Sequence, residues 1–478
     1  MDRPDRQPDE TSPAQRITRF MHRWPEAIRL IISSQTAAFS DSSQLRETPE
    51  SLGWSESAAR HVSSEIEDML RRGLGPRPSA EAFNAEDIQL AESIADETRQ
   101  AGISNITRTA AYLACYEECP ELHWAFLAHM VSRNAGYNMT DLQGSRLEEV
   151  LDPEAKRLNY RFLERSNALI FQDAYPQLLL YRKSRERGAS LFHLLPYFHV
   201  SRFMSPFWER FWIDRGSALL TVGLIINEQN YIEKRVIQHP YFQKYVTGKA
   251  DFQLFSLSGL NQIVFPLLER TEGRDASSAL LAEERAASSE APLAANAAKG
   301  AARDAKEEGA AGTNAPLDEQ AAGWKERRLA GRTVSDFGSL SARIALGKSL
   351  YAMLMGYRAV RSGAERFAAN VPHSGSRADY WPDLFTANPE EALTGPTQAS
   401  ALLDMETLPP GERLYSPKLL SVWGDTPYEP ISREDWLKDL RALDGISAPK
   451  RPFLCDISRK HRNGLLKTAL VHDAVDKS

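Results

Sequence analysis

Three observations predict an all-α fold, one large multi-helix domain with enclosed central helices. Nearly every patterned segment repeats its apolar residues at helical spacing, as in "AQRITRFMHRWPEAIRLIIS", "ARHVSSEIEDMLRRGL", "TRTAAYLACYEEC" and "LSARIALGKSLYAMLMGYRAV". No set of alternating apolar and polar residues joined by hairpin turns announces a sheet. From Leu122 to Val131 apolar groups fall on every side of a helix, the pattern of a helix surrounded by protein.

Residues 1–95 read as a smaller helical region with disordered first residues. The opening "MDRPDRQPDETSPAQ" is charged and proline-rich and lacks the apolar run of a secretory signal. Residues 96–271 form the first part of the core. Within it Pro120 marks a helix start, with Glu121 favouring the positive end of the dipole. Gly136 reads as a stop, and Asn138 or Thr140 as the cap of the next helix. Residues 272–323 are rich in Ala, Glu, Ser and Gly, and no aromatic residue occurs between Phe265 and Trp324. Such a stretch buries too little apolar surface to offset its ordering entropy, so a disordered insertion is expected. Residues 324–443 supply the second part of the core, and 444–478 a tail whose "ISRKHRNG" reads as a solvated basic run.

Composition narrows the function classes. The 478 residues are 42% hydrophobic and 26% charged, as in ordinary globular proteins, with a net charge of −6. That balance disfavours nucleic acid as the main partner. The apolar stretch "ALLTVGLII" is far short of the ~20 residues of a membrane span, so no span is expected. Three cysteines, an odd and sparse count, fit a reducing compartment, and a cytoplasmic location is expected.

Candidate chemistry sits in four stretches. "HWAFLAHMVSRNAGYNMTD" (123–141) places His129, Arg133, Asn134 and Asp141 on an otherwise apolar helix. A buried arginine there needs a carboxylate or several carbonyls. "LFHLLPYFHVSRFMSPFWERFW" (191–212) sets His199 and Arg202 among eight aromatic residues. In "TVGLIINEQNYIEKR" (221–235) Glu228 falls on an apolar stripe with Asn227 and Asn230 beside it. "VPHSGSRADYWPDLF" (371–385) offers His373, Ser376 and Arg377 around Gly375, a turn able to hold an anion with backbone N–H groups. "ALGKS" (345–349) is not a phosphate loop, since Ala342 replaces the required glycine within a continuous helix. No metal or cofactor motif is present; Cys115, Cys119 and His123 have zinc-like spacing, but Pro120 interrupts them and no fourth ligand is evident.

These stretches also carry a resemblance. "NITRTAAYLACY", "ELHWAFLAHMVSRNAGYNMTDL", "LIFQDAYPQLLLY", "LFHLLPYFHVSRFMSPFW", "LIINEQNYIEKRVI" and "HSGSRADYWPDLF" together resemble the YppC-like family of Bacillus-type bacteria, a domain of unknown function. The resemblance runs from about 100 to 440 outside the insertion. It implies a bacterial cytoplasmic protein and transfers no activity.

Two functions follow as expectations. In one, the helices enclose a polar pocket for a small anionic ligand or substrate. There His129, His199, His373 and Glu228 do acid–base work, and Arg133, Asn134, Asp141, Arg202, Asn227, Asn230, Ser376 and Arg377 bind the ligand. Convergence of His129, Arg133, His199 and Glu228 is its geometric requirement. In the other, the buried polar groups are struts, and exposed aromatics such as Trp381 or Trp423 engage a protein partner.

Overall fold

Helix ends in the computed structural model follow the capping chemistry of the sequence. It describes residues 39–78, 82–145, 147, 151–247, 261–270, 324–334, 336–392, 413–426, 429, 434–462 and 464. Helix α1 (Glu56–Arg72) starts at Ser55, whose side chain accepts from the Ala58 N–H, and ends at Gly73 with φ of 80°. Asn84 caps α2 (Ala85–Ala101) in the same way. A reciprocal capping box of Ser104 and Thr107 starts α3 (Asn105–Glu118). Helix α4 (His123–Asp141) follows without a side-chain cap. Asp152 then caps α5 (Pro153–Arg187), which ends on the left-handed Gly188.

A 3₁₀ turn (Phe192–Phe198) leads to α6 (Met204–Asp214) and α7 (Ser217–Ile232). Helix α7 is buried on nearly every side, as its run of Leu, Val and Ile requires. It continues into a wide π turn, Glu233–Ile237. Beyond the insertion, Ser339 caps α8 (Leu340–Gly356), and α9 (Arg358–Asn370) follows directly. Helix α4 packs most extensively on α3 and also meets α5, α7 and α8, so it lies at the centre of the helical body.

The fold is mostly helical, but strands the sequence did not suggest are present. Strands β1 (Gln262–Arg270) and β2 (Trp324–Thr333) pair. The Val334 N–H donates to the Asn261 carbonyl at 2.7 Å, which sets the start of one beside the end of the other in an antiparallel pair. Neither strand shows clean alternation: β1 is an apolar run broken by Pro266, and half of the residues of β2 are charged. Short β3 (Phe385–Thr386) and β4 (Leu414–Tyr415) pair in parallel.

Other expectations change as well. Gly136 does not stop α4; it lies inside the helix, where a Cβ would come within 2.6 Å of Asn105 Oδ1 and His373 Nε2. Helix α5 runs through Pro176 without ending. The C-terminal segment read as a tail is bonded into the body. Gly331 N–H donates to Cys455 O, Ile457 N–H to Leu329 O, and His461 is buried. The expected disordered insertion, 272–323, and the disordered first residues lie outside the described residues.

Contacts divide the chain into Leu268–Arg328 and the remainder. Among described residues the former contributes only strand ends, where Arg328 Nη1 lies 3.2 Å from Glu269 Oε1.

Candidate functional site

Helix α4 has two faces with different chemistry, and they organise the candidate residues. At 100° per residue, Trp124, Leu127, Ala128, Val131, Ala135 and Asn138 share one side, and His129, Arg133 and Tyr137 the opposite side. The first side lines a cavity of about 310 Å³, completed by Phe162 and Ile170 of α5, Glu228 of α7 and Leu346 of α8, with Tyr112 of α3 at its Trp124 end.

Glu228 is the ionisable centre of that cavity. Its carboxyl accepts from the indole N–H of Trp124 at 3.2 Å and from the Gln229 amide at 3.2 Å. Burial pushes it up to about 8, with Asp173 adding to the rise. Tyr112 stands edge-on to Trp124 at 5.5 Å, and its buried hydroxyl has no hydrogen-bond partner among the described residues. Burial, then Glu228, raise that hydroxyl well above the ordinary tyrosine range. Arg343 also borders the cavity, but its donors are engaged: Nε by Gln229, Nη1 by Phe337 O and Nη2 by Glu233.

The opposite side of α4 faces the 371–379 turn through a polar network. Arg133 donates from Nε to the Tyr137 hydroxyl at 2.9 Å and from Nη2 to Val371 O at 2.6 Å. It also lies 3.8 Å from Asp379 and stacks over the Phe367 ring. His373 Nε2 approaches Asn105 Oδ1 at 2.9 Å. Because the Asn105 amide nitrogen already donates to Ser132 O, Oδ1 is the acceptor and Nε2 carries the proton. Burial lowers His373 to about 4, against the pull of Asp379 3.7 Å away. His129 faces the Thr109 carbonyl through Nδ1 at 2.9 Å, and burial followed by Arg133 lowers it to about 3. Both imidazoles are neutral at pH 7.

Arg377 anchors the end of this network. Its Nε and Nη2 grip Asp141 at 2.8 and 2.6 Å, while Nη1 meets the Tyr380 hydroxyl and His461. His461 reaches on to Gln262 at 2.7 Å. Ser376 caps the turn, accepting from Ala378 N–H and donating to Ser416 O.

The expected convergence does not occur. Glu228 lies on the cavity side of α4, His129 and Arg133 on the other. His199 and Arg202 are at the left-handed corner before α6, where Arg202 donates to Gly75 O and its backbone N–H to Asp435. Asn227 donates to Asp173 and accepts from Trp436, Asn230 donates to Ile226 O of its own helix, and Asn134 splices β1 to α4 by accepting from Val264 N–H at 2.9 Å. Trp423 stacks on Tyr160 at 4.1 Å and donates to Met139 O, and Trp381 lies against His461; both are half-buried. Among residues the sequence did not single out are Tyr112, Trp124, Arg343 and His461. Trp124 lay within a flagged stretch; Tyr112 and Arg343 read as ordinary helix residues and His461 as part of a solvated run.

Among the described residues no cluster of three His, Cys, Asp or Glu side chains could hold a metal ion, all three cysteines are free thiols, and no helix is long and apolar enough to cross a membrane. No solved structure matches the chain. The uncharacterized protein YppC of Bacillus subtilis (strain 168) is 46% identical over 178 residues, which cover 37% of this chain and 56% of that protein. The family model described as "protein of unknown function (DUF2515)" matches residues 101–288 and 317–454. Those matched segments hold α3 to α9, both faces of α4 and the 371–379 turn, and the chain belongs to the DUF2515 family.

Proposed function

We propose that the protein binds one small, largely apolar molecule in the cavity between α4, α5, α7 and α8, with the Glu228 carboxyl as its polar anchor. One observation carries the reading. A half-buried carboxyl, opening into a cavity of about 310 Å³ walled mostly by aromatic and aliphatic groups, has two neutral donors and no ion-pair partner among the described residues. Burying an ionisable group in this way is unfavourable unless a partner supplies compensation. Concave apolar sites with few polar groups are where small ligands bind.

Of the residues expected to do acid–base work, only Glu228 faces the cavity. Raised to about 8, it is largely protonated at pH 7, able to donate as well as accept. Arg133 and Arg377, expected to clamp an anion, have their donors engaged within the chain, which supports a bracing role for them. Arg202 lies at Gly75, away from the cavity lining.

The test is a fluorescence titration of the full chain with N-phenyl-1-naphthylamine, an apolar probe. One site is expected in the wild type, and it should be lost in both Ala128→Phe and Ala135→Phe, which fill the cavity from two turns of α4. Circular dichroism checks that each variant folds. Equal binding by folded variants and wild type overturns the reading.

A further inference from the structure

Resting on that reading, we infer that the ligand is a primary amine on a single unbranched apolar chain. Its ammonium sits between Glu228, the Tyr112 hydroxyl and the Trp124 ring, and its chain lies along α4 toward Asn138.

Shape comes first. From Trp124 to Asn138 the cavity follows about 21 Å of helix, at ~1.5 Å per residue. A volume of about 310 Å³ drawn out over that length is an elongated cavity, a shape that suits an extended apolar chain lying along the helix.

Polar side chains line the cavity along its length, but away from the Trp124 end they are bonded within the chain, Asn138 to Arg377 and Asn261 to Val334 O among them. The amides of Asn159 and Asn167 and the hydroxyl of Ser166 donate to carbonyls of their own helix, and Asn134 is bonded to β1. At the Trp124 end, by contrast, Glu228 has two neutral donors but no ion-pair partner, and the Tyr112 hydroxyl no hydrogen-bond partner, among the described residues.

The charge at that end selects a cation. Asp173 of α5 adds a second acid behind Glu228 and Tyr112. The nearby cations are committed: Arg108 to Glu164 and Gly102 O, Arg343 to Glu233. Cys115, the remaining titratable neighbour of Tyr112, is held as a neutral thiol by burial. An ammonium group donates to both Glu228 and the Tyr112 oxygen, and its charge is attracted to the indole and phenol faces.

Pairing with an ammonium requires the anionic form of Glu228, so binding expels its proton wherever the empty cavity keeps it. Affinity must therefore rise with pH up to about 8 and then level, since an alkylamine stays protonated throughout.

Isothermal titration of the full chain with n-octylamine, n-octanol and n-octanoate, at pH 6.5, 7.5 and 8.5, tests this. Octylamine should bind at least tenfold tighter than octanol at pH 8.5. Its affinity should grow across the series, with close to one proton released per amine at pH 6.5. Glu228→Gln should bring octylamine down to the octanol level. Octanol or octanoate binding as well as octylamine, or an amine preference that survives Glu228→Gln, overturns the amine assignment while the cavity stands. If none of the three binds, the amine assignment falls; if the naphthylamine probe also fails, so does the cavity reading.

Discussion

Glu228, half-buried, and Arg377, fully buried, show two ways in which a chain handles an ionisable group withdrawn from water. Arg377 is matched on all sides, and Asp141 faces it bidentately. Removing one member of such a buried pair leaves the other uncompensated, so Asp141→Asn should cost about 3–5 kcal/mol in urea denaturation. Arg377→Lys should cost a similar amount, because an ammonium cannot reproduce the planar fork. Glu228 has no such match. Its folded pKa of about 8 lies above the unfolded value, so its contribution is lost as pH rises from about 4.5 to about 8. Glu228→Gln, which cannot ionise, should then stabilise the ligand-free protein at pH 8 by roughly 1–3 kcal/mol and leave it unchanged near pH 4. A melting-temperature series of both proteins across that range reads the difference directly.

At the scale of elements, α4 was the most legible part of the sequence and the least predictable in detail. Apolar residues on all sides correctly marked it as enclosed, and its polar residues as partnered. Which face each served was not legible, because His129 and Glu228 are separated by 99 positions in the chain and their relation depends on how α7 lands. Gly136 illustrates the gap. Read locally it ends a helix; in the structure it is the place where His373 and Asn105 press against the α4 backbone. Gly136→Ala should therefore destabilise by about 1–3 kcal/mol, although alanine is the better helix former by about 1 kcal/mol. A stabilised variant in urea titration would show that the ring and amide yield easily. The strands were missed for a related reason. Asn134, a side chain of α4, satisfies an edge N–H of β1, so β1 needs little of the alternating pattern that identifies a strand by sequence.

For the whole molecule, buried titratable groups of opposite type predict an optimum of stability. His123, His129 and His373 are held near 4, 3 and 4, so folding loses stability as pH falls below about 6.5. Asp173 and Glu228 are held near 7 and 8, and each loses its contribution as pH rises toward those values. Between about pH 4.5 and 6.5 the three histidines outweigh the two acids, and above that only the acids act. The melting temperature should peak between about pH 6 and 7 and decline on both sides; a plateau extending to pH 9 would contradict the assigned burial.

The back face of α4 is assembled from Asn105, Arg133, Gln262, His373, Arg377 and His461, segments from nearly the whole described length. On a ribosome these arrive in sequence, and the last of them comes more than 300 residues after α4 has been made. Until residues 371–379 are made, Asp141 and Arg133 belong to a helix that lacks the turn supplying most of their partners. Synthesis thus leaves a long interval in which the central helix is present but its polar half is open to solvent or to a chaperone. The polar half of α4 is complete only once His461, near the end of the described chain, has been made.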